Sequence, residues 1–224
     1  MKISDKFPKA QKWDFENGFF LTATKDRLSK TLAHYELFCR TLEVPGEIVE
    51  FGVFKGVSFS RWCLFRSMFS NVFSKQVIGF DTFGAFPETG FEDDFAIRKN
   101  FVDTAGEFSV SAEDMRENLQ DRNLAENIKL VPGDILETLP AFLRDNPQMR
   151  FSLVNLDTDI YEPAKCILEN VWNRIVRGGV LILDDYGTFA GETKAVEEFL
   201  ATLDNPPKIL RFPFASTPCY LIKE

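Results

Sequence analysis

Acidic side chains recur at the ends of short apolar runs in this chain of 224 residues. Glu50 closes the run at 48–50, Asp81 the run at 77–80, Asp157 and Asp159 the run at 151–156, and Asp184-Asp185 the run at 180–183. Asp134 follows the run at 128–131 by one turn. Runs of this length, rich in β-branched and aromatic residues, read as buried strands. In a parallel sheet their C-terminal ends share one rim, where crowded carboxylates repel unless a cation or hydrogen-bond donors compensate. A nucleoside-type ligand would compensate by donating its hydroxyls and amino group to Glu50, Asp81 and Asp134. A divalent cation held by Asp157, Asp184 and Asp185 would do the same, and an all-oxygen ligand set suits magnesium better than zinc. The plainer alternative has each acid capping the turn or helix behind its strand, as single aspartates commonly do. Six or seven acids on one rim favour a functional site.

The elements that must position them begin with the stretch 46–56. Ile48, Val49 and Phe51, bounded by Pro45-Gly46 and Gly52, read as a strand entering a tight turn. Gly52 and Gly56 flank a loop that opens into a helix near Ser58, placing backbone N–H groups around a concavity that Glu50 is expected to face. Helices are expected over 24–42, 58–69, 111–122, 135–143 and 162–176. Pro163 lies in the first turn of the last of these, and Gly178-Gly179 is its stop. A final helix carries Ala195, Val196, Phe199, Leu200 and Leu203 on one face. Alternation of strands with helices dictates a parallel sheet covered on both faces, and short strands near 209–212 and 219–222 add an antiparallel edge. The segment 82–108 reads as a long loop serving as a lid, with Asp93 and Asp94 as solvated acids. Residues 1–20, with Phe7, Trp13, Phe15, Phe19 and Phe20, read as an arm packed on the body or on a neighbouring subunit. His34, the single histidine, is expected to be a helix-face residue with a satisfied ring, with a catalytic base as the alternative.

A formal net charge of −8 argues against a nucleic-acid partner. No apolar run approaches a membrane span, and the first residues lack the core of a signal peptide. The cysteines at 39, 63, 166 and 219 form no C-x-x-C pair and read as reduced structural thiols of a cytoplasmic protein. The 24 phenylalanines imply a large aromatic core or an apolar substrate pocket.

The run Val49-Glu-Phe-Gly-Val-Phe-Lys-Gly56 resembles the first cofactor motif of the macrocin O-methyltransferase (TylF-like) family of class I S-adenosylmethionine-dependent methyltransferases. Gly79-Phe-Asp-Thr-Phe83, Gly133-Asp134, Leu156-Asp-Thr-Asp-Ile-Tyr-Glu162 and Leu183-Asp-Asp-Tyr-Gly187 are similar to its later motifs, in the same order. The resemblance implies a Rossmann-like class I methyltransferase fold with a mostly parallel seven-stranded sheet. With the match covering most of residues 30–200, the chain is expected to divide into an arm and first helix over 1–45, serving as lid or subunit contact, and a methyltransferase domain over 46–224. Glu50, Gly52 and Gly56 would then lie along the methionine part of S-adenosylmethionine, Asp81 at the ribose and Asp134 near the adenine. Asp157, Asp184 and Asp185 would hold Mg2+, with Asp159 as general base. Two positions depart from the family pattern: Val57 replaces a glycine, and Lys55 stands where arginine is usual, leaving a point charge for the cofactor carboxylate.

The expected activity is magnesium-dependent O-methylation of a hydroxyl on a sugar or glycosylated small molecule, with a homo-oligomer possible. A phenolic or catechol acceptor, a nicotinamide oxidoreductase and a non-catalytic binding domain are the alternatives. The spacing Gly52-x-x-x-Gly56 is not the dinucleotide fingerprint, which disfavours the oxidoreductase. Tyr161 and Tyr186 are candidates for the acceptor pocket or for packing.

Overall fold

The computed structural model describes residues 2–224. Its elements in chain order are α1 (Ile3–Lys6), α2 (Lys12–Thr22), α3 (Lys25–Arg40), β1 (Glu47–Phe51), α4 (Val57–Phe69), β2 (Val77–Asp81) and α5 (Phe95–Ala105). They continue with α6 (Ala112–Gln120), β3 (Ile128–Pro132), α7 (Ile135–Asp145), β4 (Phe151–Leu156) and α8 (Tyr161–Val171). β5 (Ile175–Leu183), α9 (Ala190–Ala201), β6 (Leu210–Arg211) and β7 (Cys219–Ile222) complete the chain. One sheet of seven strands runs in the order β3-β2-β1-β4-β5-β7-β6, parallel from β3 to β5, with β7 antiparallel to both neighbours.

Side-chain alternation along the strands splits the core in two. Val49, Phe51, Val154 and Leu181 pack under α7, α8 and α9, while Ile48, Leu153 and Val180 pack under α3, α4 and α6. Burying two faces makes the central strands apolar almost throughout, which is why they were visible as continuous runs. Ser111 caps α6 by accepting from the Asp114 N–H at 3.1 Å, as its sequence pattern suggests. Among the described residues no helix is long and apolar enough to cross a membrane, and the four cysteines are free.

Chain order reverses between β1 and β4, and ligands of open α/β sheets bind outside the strand ends at such a point. Register sets what stands there. Phe51 lies opposite Leu156, and Leu156 opposite Leu183. The next residues, Gly52, Asp157 and Asp184, therefore leave three adjacent strand ends side by side. The Asp157 N–H donates to the Phe51 carbonyl and the Asp184 N–H to the Leu156 carbonyl, each at 3.0 Å.

Two expectations need correction. The segment 82–108 is not loop throughout: Glu92–Asp94 form a 3-10 turn leading into α5. Phe101 of α5 packs near Phe54, Phe86 and Phe189, at centroid separations of 5.2, 5.4 and 6.4 Å. Gly178-Gly179 do not end a helix; they lie inside β5, which starts at Ile175. A Cβ at Gly179 would stand 2.9 Å from the Val176 carbonyl oxygen and 3.1 Å from that of Ser152, so this glycine permits the irregular pairing of β4 with β5. The aromatic arm is partly helical, and Trp13, Phe20 and Leu21 of α2 are exposed.

Candidate active site

A cavity of about 830 Å³ opens at the β1/β4 reversal, within the size range of small-molecule sites. Gly52, Lys55, Asp81, Asp134, Asp157, Asp159, Asp184 and Asp185 all line it, so most of the acids placed on one rim from sequence do meet. The glycine turn is shaped by contact: Gly52 has φ +92°, and a Cβ there would lie 1.7 Å from the Asp157 carbonyl oxygen. Gly56 has φ +80° at the N-terminus of α4, where a Cβ would meet the Met115 sulfur at 2.5 Å. Gly52 brings backbone against backbone, which only glycine tolerates, whereas Gly56 abuts a methionine side chain and is favoured there by its left-handed φ.

Glu50 departs from expectation. It is fully buried and does not line the cavity, because strand alternation turns it toward α4 with Ile48. Its carboxyl accepts from the Ser58 hydroxyl at 2.8 Å and from the Trp62 indole N–H, and burial pushes its pKa up to about 8. Asp81 fastens the glycine turn: one carboxylate oxygen accepts from the Val53 and Phe54 N–H groups at 2.8 and 2.9 Å, the other from Phe83 N–H at 2.7 Å. Asp134 caps α7 by accepting from the Leu136 N–H at 2.8 Å. The capping role weighed for these acids is thus present at Asp81 and Asp134, together with exposure to the cavity.

The far wall is a nest of carboxylates. Oxygens of Asp157, Asp184 and Asp185 lie within 4.8 Å of one another. Asp159, with φ +65°, is buried beside them. Burial, then the charge of Asp157, pushes its pKa up to about 7, with the neighbouring Asp185 carboxyl acting in the opposite direction. Burial also raises Asp157 and Asp185 well above the usual carboxylate range. Glu192 of α9, fully buried, accepts from the Asp185 N–H at 3.0 Å and is raised by burial and by Asp185. Asp184 moves the other way: burial would raise it, but the Lys30 ammonium and His34 hold it below its ordinary value. One oxygen of Asp184 and one of Glu192 are buried without a hydrogen-bond partner. Three converging carboxylates with an orphaned oxygen fit a hard divalent cation.

Sequence reasoning missed the cation already there. Lys30 of α3 forms an ion pair with Asp184 Oδ2. One turn on, His34 is buried between α3 and α4, its ring stacked on Trp62 at 4.6 Å and its Nδ1 2.8 Å from the Arg61 guanidinium. Its Nε2 stands 3.5 Å from Asp184 Oδ1. Burial lowers its pKa to about 4, leaving a neutral ring. Because His34 does not line the cavity, the catalytic-base alternative is set aside. The clue in sequence was a polar stripe, Arg27-x-x-Lys30-Thr31-x-x-His34, on one face of a helix.

Asp94 also departs from expectation. It is fully buried rather than solvated, and accepts from the Tyr161 N–H at 3.0 Å and the Gly191 N–H at 2.8 Å. It thereby ties the segment 82–108 to the first turns of α8 and α9. Glu162 adds bonds from Thr89 Oγ1 at 2.9 Å and Gly90 N–H at 2.7 Å. Tyr161 and Tyr186 do not line the cavity; their hydroxyls donate to Glu198 and Glu197.

The strand order, with a glycine turn and crevice at its reversal, defines a class I methyltransferase fold. CalS11, a calicheamicin methyltransferase, matches with a TM-score of 0.73 and 26% identity over 96% of this chain and 86% of that one. The O-methyltransferase NovP shares the fold with a TM-score of 0.70 and 23% identity, over 86% of this chain and 78% of that one. The Macrocin-O-methyltransferase (TylF) family model matches residues 18–208, and the chain belongs to that family. An 8-demethyl-8-(2,3-dimethoxy-alpha-L-rhamnosyl)-tetracenomycin-C 4'-O-methyltransferase of Streptomyces olivaceus is 33% identical over 64% of this chain and 54% of that protein. Demethyldecarbamoylnovobiocin O-methyltransferase of Streptomyces niveus is 30% identical over 72% of this chain and 60% of that protein. The chain thus spans between half and two thirds of the length of these curated relatives.

Proposed function

We propose that the chain is an S-adenosylmethionine-dependent O-methyltransferase that methylates a hydroxyl of a sugar or glycosylated small molecule, with Mg2+ as its metal. The observation that supports this most is the meeting, in one crevice, of a glycine turn open to a ligand and a carboxylate triad suited to a cation. The acceptor class draws on the relatives: one is named for a rhamnosyl substrate, and an apo structure of CalS11 is titled a TDP-rhamnose 3'-O-methyltransferase.

S-adenosylmethionine supplies an already activated methyl group, so the protein's task is alignment and proton removal. Gly52 lines the cavity where the methionine portion would lie, and Gly56 turns the chain into α4 behind it, against Met115. Glu50 supports them from below through Ser58 and Trp62, and Lys55 offers a positive charge to the carboxylate. Asp81 and Asp134 face the cavity where ribose and adenine would lie. Asp157, Asp184 and Asp185 would hold a divalent cation, which lowers the pKa of a coordinated hydroxyl and fixes its orientation. Asp159, buried beside the triad, would accept the hydroxyl proton at its carboxylate. Phe86 and Phe101 of the segment 82–108 line the cavity and exclude water.

A screen of glycosides, sugar nucleotides and catechols with methyl-labelled S-adenosylmethionine tests this reading. Label entering a sugar-bearing acceptor, lost with EDTA and restored by Mg2+, is expected. Label entering only catechols would replace the acceptor class, and transfer indifferent to EDTA would remove the metal from the reaction.

A further inference from the structure

We propose that Lys30 is a resident counter-ion of the Asp157–Asp184–Asp185 triad, and that a divalent cation enters only by displacing it. The inference rests on the reading of the triad as a cation site. Its basis is geometric. The Lys30 ammonium sits on Asp184 Oδ2, and Asp184 is the most buried of the three carboxylates. His34 Nε2, from the same helix, faces the other oxygen of Asp184 at 3.5 Å. One oxygen of this ligand is therefore paired by Lys30 before any ion arrives, while the other faces His34 without a hydrogen bond.

An ammonium and a divalent cation on one carboxylate repel each other, most strongly where water is excluded, so the two compete for Asp184. Lysine suits such an exchange. Its charge is a point on a flexible stem, and the Lys30 side chain is 25% exposed to the cavity, beside Arg27 and Thr31. Its charge offsets the mutual repulsion of Asp157, Asp184 and Asp185, which would otherwise strain the metal-free fold. Two effects of opposite sign follow from removing it: the vacated triad attracts a cation more strongly, and the metal-free protein becomes less stable.

The test is Mn2+ binding to the full chain, followed by the electron paramagnetic resonance signal of free Mn2+, for wild type, Lys30→Met, Lys30→Gln and Lys30→Arg. S-adenosylmethionine binding by calorimetry serves as the check on folding. Lys30→Met and Lys30→Gln should bind Mn2+ about tenfold tighter or more, the equivalent of about 1.4 kcal/mol. Lys30→Arg, which keeps the charge, should not. In EDTA the melting temperature of the neutral variants should fall below wild type, and Mn2+ should restore it. A purely packing role for Lys30 would lower stability without tightening the metal. If the neutral variants bind Mn2+ as wild type does, or more weakly, the counter-ion role is refuted while the cation site stands. If no variant nor wild type binds Mn2+ although S-adenosylmethionine binds, the cation site itself is refuted and this inference falls with it.

Discussion

Three glycines separate conformational strain from close approach at the crevice. Gly52 has φ +92° and no room: a Cβ would lie 1.7 Å from the Asp157 carbonyl oxygen and 2.7 Å from its carbon. Gly187 has a similar φ of +83°, but nothing lies within 4 Å. Gly18, inside α2, has neither constraint. Gly187→Ala should therefore cost only the left-handed backbone penalty, about 1–2 kcal/mol. Gly18→Ala should stabilise by up to about 1 kcal/mol through helix propensity. Gly52→Ala carries the same backbone penalty and must also push apart the ends of β1 and β4, since both clashing atoms are backbone and cannot rotate away. A total of about 4 kcal/mol or more is expected. Urea unfolding followed by circular dichroism, with slopes compared to confirm a common unfolded state, measures all three. A Gly52→Ala variant no less stable than Gly187→Ala would refute the claim that β1 and β4 are held in contact at the site.

Asp157→Asn should abolish metal-dependent turnover while S-adenosylmethionine affinity, measured by calorimetry, changes by less than about threefold; undiminished turnover would remove Asp157 from the triad. Asp94→Ala strips one buried and one part-buried N–H of their acceptor and should cost about 2–4 kcal/mol in urea unfolding; a loss below about 1 kcal/mol would show that it does not anchor the segment 82–108. Glu50 has a folded-state pKa of about 8 against an ordinary 4.5, so the fold retains a proton that the unfolded chain releases. Its stabilising contribution is complete below pH 4.5 and is lost as pH rises through 8. Glu50→Gln should accordingly lose less stability than wild type between pH 5 and 8, and superimposable profiles would contradict a buried, protonated Glu50.

The central strands were legible because burial on both faces leaves continuous apolar runs, and because glycine, proline and aspartate punctuate their ends. Helix α5 was not. It buries no residue fully, and its anchoring by Phe101 among Phe54, Phe86 and Phe189 is tertiary, so glycines and proline around it dominated the local pattern. Gly178-Gly179 misled for a related reason: a glycine needed for close approach looks the same in sequence as one that ends a helix. Among site residues, acids at strand ends could be read from position alone. Whether an acid faces the cavity or the core depends on strand alternation, which put Glu50 beneath the site and Asp157 in it. Lys30 was hidden because a lysine on a helix reads as solvated. Only the fold brings α3 across the ends of β4 and β5, where Lys30 meets Asp184.

The central claim is that one crevice holds an adenosyl cofactor along the Gly52 turn and a cation at the triad. A crystal structure of the protein with S-adenosylhomocysteine and Mn2+, read by the anomalous signal of the metal, tests it most directly. The account predicts one strong anomalous peak within coordination distance of Asp157, Asp184 and Asp185, with the ribose at Asp81. A peak elsewhere, or a nucleoside bound away from the Gly52 turn, would contradict it.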